Sequence, residues 1–213
     1  MRLRLFMVFV AFTLSAFAAE PSPQDQKNDG DAGTRFPSPD GRYGLLVTKD
    51  PQGESYKDRV ELVELATKRP LVLLSDPEAF GDRSEDARLD WFADSQSVAA
   101  YTGGRRGGIT RIFVREGKGF AEVKLPKLPD LPELEKPSPA FVKKHKFKFL
   151  KWINTGSLEF VRWLKSGDVE VRTFNEIETV GAGIFRAQIN ATVVIDSQHR
   201  ATLKNVVKKE EFE

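Results

Sequence analysis

The stretch Phe36–Thr48, FPSPDGRYGLLVT, decides the fold class because it joins a tight turn directly to an apolar run. Ser38–Gly41 matches a type I turn position by position, with Ser first, Pro presetting φ at the second place, and Gly last. The run Tyr43–Thr48 is short, apolar and followed by the polar segment KDPQGES. This pattern predicts a strand that is covered on both faces.

The N-terminus of the chain predicts a secretory signal peptide over residues 1–18. Two arginines precede an apolar block, Leu5–Leu14, and Ala16–Ala18 supplies a small-x-small cleavage site, so we predict cleavage after Ala18. The alternative is an uncleaved membrane anchor, but the apolar character ends near Ala19, short of the ~20 residues that a spanning helix needs. The sequence therefore predicts a secreted or periplasmic protein with no integral membrane segment after signal removal.

The mature chain is close to neutral and has no cysteine. Two of the 33 basic residues lie in the predicted signal, which leaves 31 against 31 acidic residues. This balance argues against a nucleic-acid partner. The absence of cysteine excludes disulfides, thiolate metal sites and cysteine-linked lipids. We expect no cofactor and no metal site, and a fold stabilised by its packed core.

A turn followed by an apolar, β-compatible run recurs twice after the first copy, and a hairpin can be drawn after each copy. The second copy has Trp91, a turn at Ala93–Gln96 and a run over Ser97–Thr102, and the third has Trp152, a turn at Asn154–Gly156 and a run over Leu158–Trp163. The hairpins pair RVELVEL with PLVLL, ITRIFV with FAEVKL, and AQINATVVI with RATLKNVV. Val, Ile, Phe, Thr and Trp favour strands, and no long segment has a 3.6-residue apolar period, so we predict an all-β protein.

SPDGRYGLLV and WFADSQSVAAYT resemble the repeats of TolB-type and WD40-like β-propellers, in which a Ser-Pro-Asp-Gly turn leads into an inner strand. The resemblance covers about three units over residues 36–207 and implies blade-like four-stranded antiparallel meanders. Closed propellers have ~4 to 8 blades, so three units cannot complete a ring. The expected architecture is a partial propeller or an open β-sandwich. Uncovered strand edges also make a homo-oligomer possible, and a divergent fragment of a larger propeller is a further alternative.

The chain divides into five segments by composition. The predicted segments are 1–18, the signal peptide; 19–35, a disordered leader with no large apolar residue; 36–125, two blade-like β units; 126–142, a Pro-rich linker or strap; and 143–213, a third β unit. The strap either packs its leucines on its own domain or docks on an aromatic groove in a partner.

Two basic clusters are the candidate contact residues. Arg105 and Arg106 lie between glycines in TGGRRGGIT, where guanidinium forks at a hairpin tip suit carboxylates or phosphates, although a flexible, solubilising tip fits the same pattern. Lys146 and Lys148 lie in FVKKHKFKFLKW, whose alternation of basic and aromatic residues suits single-stranded nucleic acid, an anionic surface or an edge strand protected by lysines.

No motif predicts catalysis. His145 and His199 lack a matching nucleophile or metal-ligand spacing, the acidic stretch SDPEAFGDRSEDAR lacks a regular ligand pattern, and Asn190 begins a glycosylation sequon whose use depends on the source of the protein. We therefore predict a non-enzymatic protein-interaction module whose partner is another envelope or extracellular protein. The alternatives are a carrier of a small anionic ligand or glycan in a cleft near the tryptophans, and a hydrolase.

Overall fold

A computed structural model describes residues 33–54, 58–75, 82–104, 107–128, 144, 148–180 and 183–212. Within these residues the chain forms twelve β-strands in three four-stranded sheets. Each sheet is an antiparallel meander in which the strands follow one another in sequence order, and none closes into a barrel. The predicted all-β class with four-stranded antiparallel meanders is confirmed, and the arrangement is consistent with a partial propeller or an open β-sandwich.

The strands of the third sheet are longer than those of the other two. The first sheet contains β1 (Thr34–Arg35), β2 (Tyr43–Thr48), β3 (Arg59–Glu64) and β4 (Arg69–Leu73). The second contains β5 (Asp82–Trp91), β6 (Ser97–Gly104), β7 (Gly107–Glu116) and β8 (Gly119–Val123). The third contains β9 (Lys148–Trp163), β10 (Val169–Val180), β11 (Gly183–Ile195) and β12 (Ala201–Phe212). The three predicted hairpins are present as β3–β4, β7–β8 and β11–β12.

The turn at Ser38–Gly41 forms as predicted. Gly41 N donates to Ser38 O at 2.8 Å and Gly41 has a φ of +70°, a conformation that glycine adopts without steric cost. Ser38 Oγ accepts from Tyr43 N at 3.0 Å and donates to Asp40 Oδ1 at 2.6 Å. Burial by itself would raise the pKa of Asp40, but the hydrogen bonds from Ser38 and Arg42 and the nearby positive charges lower it below its ordinary value. The turn therefore leads directly into β2, and most residues of this strand are buried.

The same turn recurs once in each sheet. Ser95 and Gly167 occupy the place of Gly41, with φ values of +59° and +84°, and their amides donate to Phe92 O and Leu164 O at 3.0 and 2.9 Å. We call the edge of the molecule with the three turns Ser38–Gly41, Phe92–Ser95 and Leu164–Gly167 the turn end, and the opposite edge the distal end.

The third predicted turn, Asn154–Gly156, is wrong. These residues lie inside β9, where Thr155 and Gly156 stand opposite the single residue Asn175. Glycine in a strand commonly marks such a bulge, because an extra residue disturbs the ladder locally. The turn of the third sheet instead follows Trp163, at the position where Phe92–Ser95 follows Trp91.

The predicted leader ends earlier than expected. Thr34 and Arg35 form β1 by pairing with Leu46 and Leu45, so backbone hydrogen bonds order these two residues, which lack the apolar character on which the prediction relied. The predicted signal, residues 1–18, and the leader before residue 33 lie outside the described residues. No helix with the length and apolarity of a membrane span occurs in the part of the chain that the structure describes.

The sheets pack face to face through two main cores. Leu45 and Leu62 of the first sheet pack with Val98 and Phe113 of the second, and all four are at most 1% exposed. The core between the second and third sheets contains Ile112, Val123, Val169, Val171, Ala191 and Val193. Leu125 and Leu128 pack against this second core, so the start of the predicted strap lies on its own domain. Residues 129–142 lie outside the described residues.

One tryptophan joins the second sheet to the first, and another joins the third sheet to the second. Trp91 Nε1 donates to Phe36 O at 2.9 Å, and Trp163 Nε1 donates to Asp90 O at 2.8 Å. The accepting carbonyls are equivalent, since each lies two residues before the first residue of its turn. The same bond is therefore repeated along the stack, and it aligns the turn ends of all three sheets.

Candidate functional site

The two predicted basic clusters lie at or beyond the limits of what the structure describes. Arg105, Arg106 and Lys146 fall outside the described residues, and Lys148 is described only as the first residue of β9, paired with Val180. Their side-chain contacts therefore stay predictions, while the strands that lead to them have defined positions.

The described strands next to both clusters reach the distal end. β6 leaves the turn Phe92–Ser95 and ends at the distal end with Gly104, which pairs with Gly107. β9 ends at the turn end with Trp163 and therefore begins at the distal end with Lys148. The strand ends at Gly104, Gly107 and Lys148 thus lie at the same end of neighbouring sheets.

The third sheet extends further than the second at this end. Thr110 of β7 aligns the two sheets, because its Oγ1 donates to Leu158 O at 3.0 Å and accepts from Phe160 N at 2.9 Å. Gly107 lies three residues from Thr110 toward the distal end, whereas Lys148 lies ten residues from Leu158 in the same direction. A difference of about seven residues corresponds to roughly 20 Å along a strand. The strand ends at Gly107 and Lys148 are therefore well separated along the strand direction.

The outer face of the third sheet, which points away from the second, carries three ion pairs between neighbouring strands. These ion pairs join Arg162 and Glu170 at 2.7 Å, Arg172 and Glu159 at 2.6 Å, and Arg186 and Glu176. Each of these three guanidiniums faces a carboxylate, so they offer little net positive charge to an anion.

Phe174 lies on this outer face and is nevertheless only 6% exposed. The guanidinium carbons of Arg172 and Arg186 lie 5.5 and 5.2 Å from the centre of its ring. Their side chains cover the ring and gain cation–π contacts, as long basic side chains commonly do over apolar surface. At this position the outer face of the third sheet therefore presents polar side chains rather than an exposed aromatic ring.

Two of the three tryptophans that were proposed to lie near a ligand cleft instead pack against other aromatic side chains. Trp91 lies 6.1 Å from Tyr43 and 5.9 Å from Phe120 between ring centres, and Trp163 lies 5.5 Å from Phe92. Both indole nitrogens are used in the bonds between sheets. The carrier alternative stays a prediction that now depends on Trp152, whose side chain is not described.

The residues considered for catalysis are dispersed. His199 lies in the β11–β12 turn with a φ of +58°, while His145 and residues 76–81 of the acidic stretch lie outside the described residues. Within the described ranges no group of three or more His, Cys, Asp or Glu side chains could hold a metal ion. Asn190 lies in β11 opposite Arg172, and its glycosylation stays a prediction.

β12 carries exposed side chains that were not predicted as contact residues from the sequence. Val206 and Val207 are 40% and 50% exposed there, and Lys204, Lys208 and Lys209 form no ion pair within the described residues. The available signal was the string VVKKEE in the last hairpin strand, in which two apolar residues precede two positive and two negative ones.

Comparison with known proteins gives no match: no family model, no curated protein and no solved structure is significantly similar to the chain. The resemblance to TolB-type and WD40-like repeats therefore stays a prediction based on the first two turns.

Proposed function

We propose that the mature chain is an extracytoplasmic protein-binding module, blade-like in its local structure, that contacts another envelope or extracellular protein at its distal end. The observation that supports this proposal is the direction of β6 and β9, whose ends next to the two basic clusters lie at the distal end of adjacent sheets. Arg105 and Arg106 form the first contact point, and Lys146 and Lys148 form the second.

The chemistry of these residues selects an acidic partner surface. Guanidinium groups bind carboxylates through two parallel hydrogen bonds, whereas lysine acts as a mobile point charge. The described arginines on the outer face of the third sheet are matched by glutamates, so they do not compete for the same ligand. A partner spanning roughly 20 Å with carboxylates at both ends fits the separation between the two clusters.

Charge reversal at each end of the molecule tests the proposal. The chain from residue 19 onward, carrying Arg105→Glu with Arg106→Glu or Lys146→Glu with Lys148→Glu, should lose partners that the unchanged chain recovers from envelope or culture fractions. The matched control reverses Lys118 and Lys165, two exposed lysines at the turn end, and should keep them. Each pair of changes lowers the net charge by the same amount, so a general charge effect would appear in all three variants.

Two results would contradict the proposal. Binding that is unchanged in both distal variants would show that this end makes no contact, and equal loss in the control would show that only total charge matters. Folding of every variant is checked by circular dichroism and by the thermal unfolding midpoint.

A further inference from the structure

Most of the arginines whose side chains the structure describes face a carboxylate. Arginines of all three sheets form ion pairs with Asp or Glu, among them Arg59, Arg111 and Arg162. Arg42 and Arg115 differ from these, because within the described residues neither side chain forms an ion pair or donates a hydrogen bond. Their N–H groups are therefore available to a ligand from outside the chain.

Arg42 and Arg115 belong to different sheets but lie over the same ring at the turn end. Arg42 directly follows the turn Ser38–Gly41, and Arg115 lies in β7, where its amide donates to Gln96 O at 2.7 Å. The guanidinium carbon of each arginine lies 5.3 Å from the centre of the Tyr43 ring. The two guanidinium carbons are therefore at most twice this distance apart, where the first and second sheets meet.

Packing holds the Tyr43 ring in place beneath the two arginines. Tyr43 is 4% exposed, and its ring centre lies 6.1 Å from that of Trp91 and 5.1 Å from that of Phe120. A cation–π contact with this ring needs no acceptor atom, so it does not consume the N–H donors of a guanidinium. The surrounding surface is open, because a Cβ added at Gly41 or at Gly117 would meet nothing within 4 Å beyond its chain neighbours.

Two carboxylates near Arg42 already have other partners. Asp40 Oδ1 accepts two hydrogen bonds within its own turn, at 2.6 and 3.1 Å. Glu64 accepts a hydrogen bond at 2.7 Å from the turn that follows it and forms an ion pair with Arg69. The charge of Arg42 acts on both carboxylates and that of Arg115 on Asp40, but only from beyond ion-pair distance. Three positive groups thus stand against two negative ones, which leaves a net charge that favours an anion.

We propose that Arg42 and Arg115 form a binding site for a phosphate group at the turn end, where the first and second sheets meet. A carboxylate has two oxygens, and a single guanidinium saturates them through two parallel hydrogen bonds. A phosphate group has enough oxygens for two guanidiniums that approach from different strands. Inorganic phosphate, a soluble phosphomonoester and a lipid headgroup share this chemistry. The inference goes beyond the proposed function and does not depend on it, since that function concerns the distal end.

Binding should be weak and sensitive to salt. Two guanidiniums at the surface, with two carboxylates nearby, should give inorganic phosphate a dissociation constant on the order of 1 mM. Added salt screens charges at the surface and should weaken binding further. Acetate should bind about fivefold more weakly than phosphate, because it can engage only one of the two guanidiniums fully.

Titration with inorganic phosphate at constant ionic strength, followed by proton–nitrogen NMR of the chain from residue 19 onward, tests the site. The Nε–H signals of Arg42 and Arg115 should shift together as phosphate is added. Arg42→Gln and Arg115→Gln each remove one charge and should weaken binding about tenfold. Arg200→Gln is the matched control, because it removes the same charge at the turn end from an arginine paired with Asp196, and it should leave binding unchanged. The dispersion of each spectrum shows whether the variant is folded.

Asp40→Asn tests the site through a gain of binding. Asparagine keeps the side-chain oxygen that accepts the two hydrogen bonds in the turn but removes the negative charge beside the arginines. Phosphate should therefore bind about threefold more tightly to this variant. An affinity that is unchanged or lower would show that phosphate does not bind next to Asp40, and it would overturn the proposal.

Three further results would also overturn it. These are arginine signals that do not shift up to about 20 mM phosphate, binding that Arg200→Gln weakens as much as Arg42→Gln does, and acetate that binds as tightly as phosphate. A soluble phosphomonoester and vesicles containing phosphatidic acid are titrated in the same way. Tighter binding of either one, lost in Arg42→Gln, supports the site and identifies the source of the group, whereas binding of inorganic phosphate alone supports it and identifies the free ion.

Discussion

Thr110→Val tests how the second and third sheets are held together. The threonine is 1% exposed, and its hydroxyl satisfies two backbone groups of β9: it donates to Leu158 O at 3.0 Å and accepts from Phe160 N at 2.9 Å. Valine has nearly the same shape but no hydroxyl, so it leaves both groups without a partner at a partly buried site. An unsatisfied buried group costs about 1–3 kcal/mol, and we expect a loss of roughly 2–4 kcal/mol in the free energy of unfolding.

Two further variants isolate the hydroxyl from the methyl group. Thr110→Ser keeps the hydroxyl and should cost about 1 kcal/mol, the value of one buried methyl group. Thr202→Val, on the exposed face of β12, should change stability by less than about 0.5 kcal/mol. Guanidinium unfolding followed by tryptophan fluorescence gives all three values.

Hydrogen exchange supplies the second measurement. The Phe160 amide should exchange faster in Thr110→Val than in Thr110→Ser, because only the valine variant removes its acceptor. If Thr110→Val is as stable as the unchanged chain, or if Thr110→Ser costs as much as valine, the hydroxyl does not satisfy the edge of β9 and the reasoning fails.

Three other predictions concern the repeated bonds, a half-buried acid and a turn. Trp163→Phe removes the donor to Asp90 O and should cost about 2–4 kcal/mol in guanidinium unfolding, and a much smaller loss would contradict the bond between sheets. Burial raises the pKa of Asp90 above its ordinary value, against the effect of Arg88. An ionised acid with a raised native pKa destabilises the fold, so Asp90→Asn should stabilise it near neutral pH. This gain should fade as the pH drops through the native pKa toward about 4, and a pH-independent gain would contradict the assignment. Gly41→Ala forces a side chain into positive φ and should cost about 1–2 kcal/mol by thermal unfolding, whereas an unchanged midpoint would show that the turn relaxes.

The elements that could be predicted from the sequence are those with local causes. The turn Ser38–Gly41 fixes its own geometry through Pro, Asp and Gly, and the hairpins β7–β8 and β11–β12 join apolar runs through short polar loops. In these cases the residues that determine the structure are neighbours in the sequence, so pattern reading is sufficient.

The third turn was misplaced because the same residue type serves two purposes. Gly156 takes part in a bulge and Gly167 ends a turn, and each follows a tryptophan by four residues. Only the bond from Trp163 to Asp90 O, which joins residues far apart in the sequence, shows which tryptophan is equivalent to Trp91. A contact of this kind has no signature in a single sequence.

The candidate surfaces divide in the same way. Composition singled out Arg105, Arg106, Lys146 and Lys148, and the direction of the described strands gives only the end at which the neighbouring residues Gly104 and Lys148 lie. The exposure of Val206 and Val207 depends on the register of β12 against β11, which local composition does not determine.

Among the described strands, each sheet takes its four strands from one consecutive part of the chain, with none contributed by another unit. Backbone pairing is therefore local, which lowers the contact order relative to a Greek-key sandwich of similar size and favours faster folding. As the polypeptide emerges during synthesis or secretion, the first meander has all its strands before the last has been made. We expect the three units to form in order of their appearance, with docking between them as the later step.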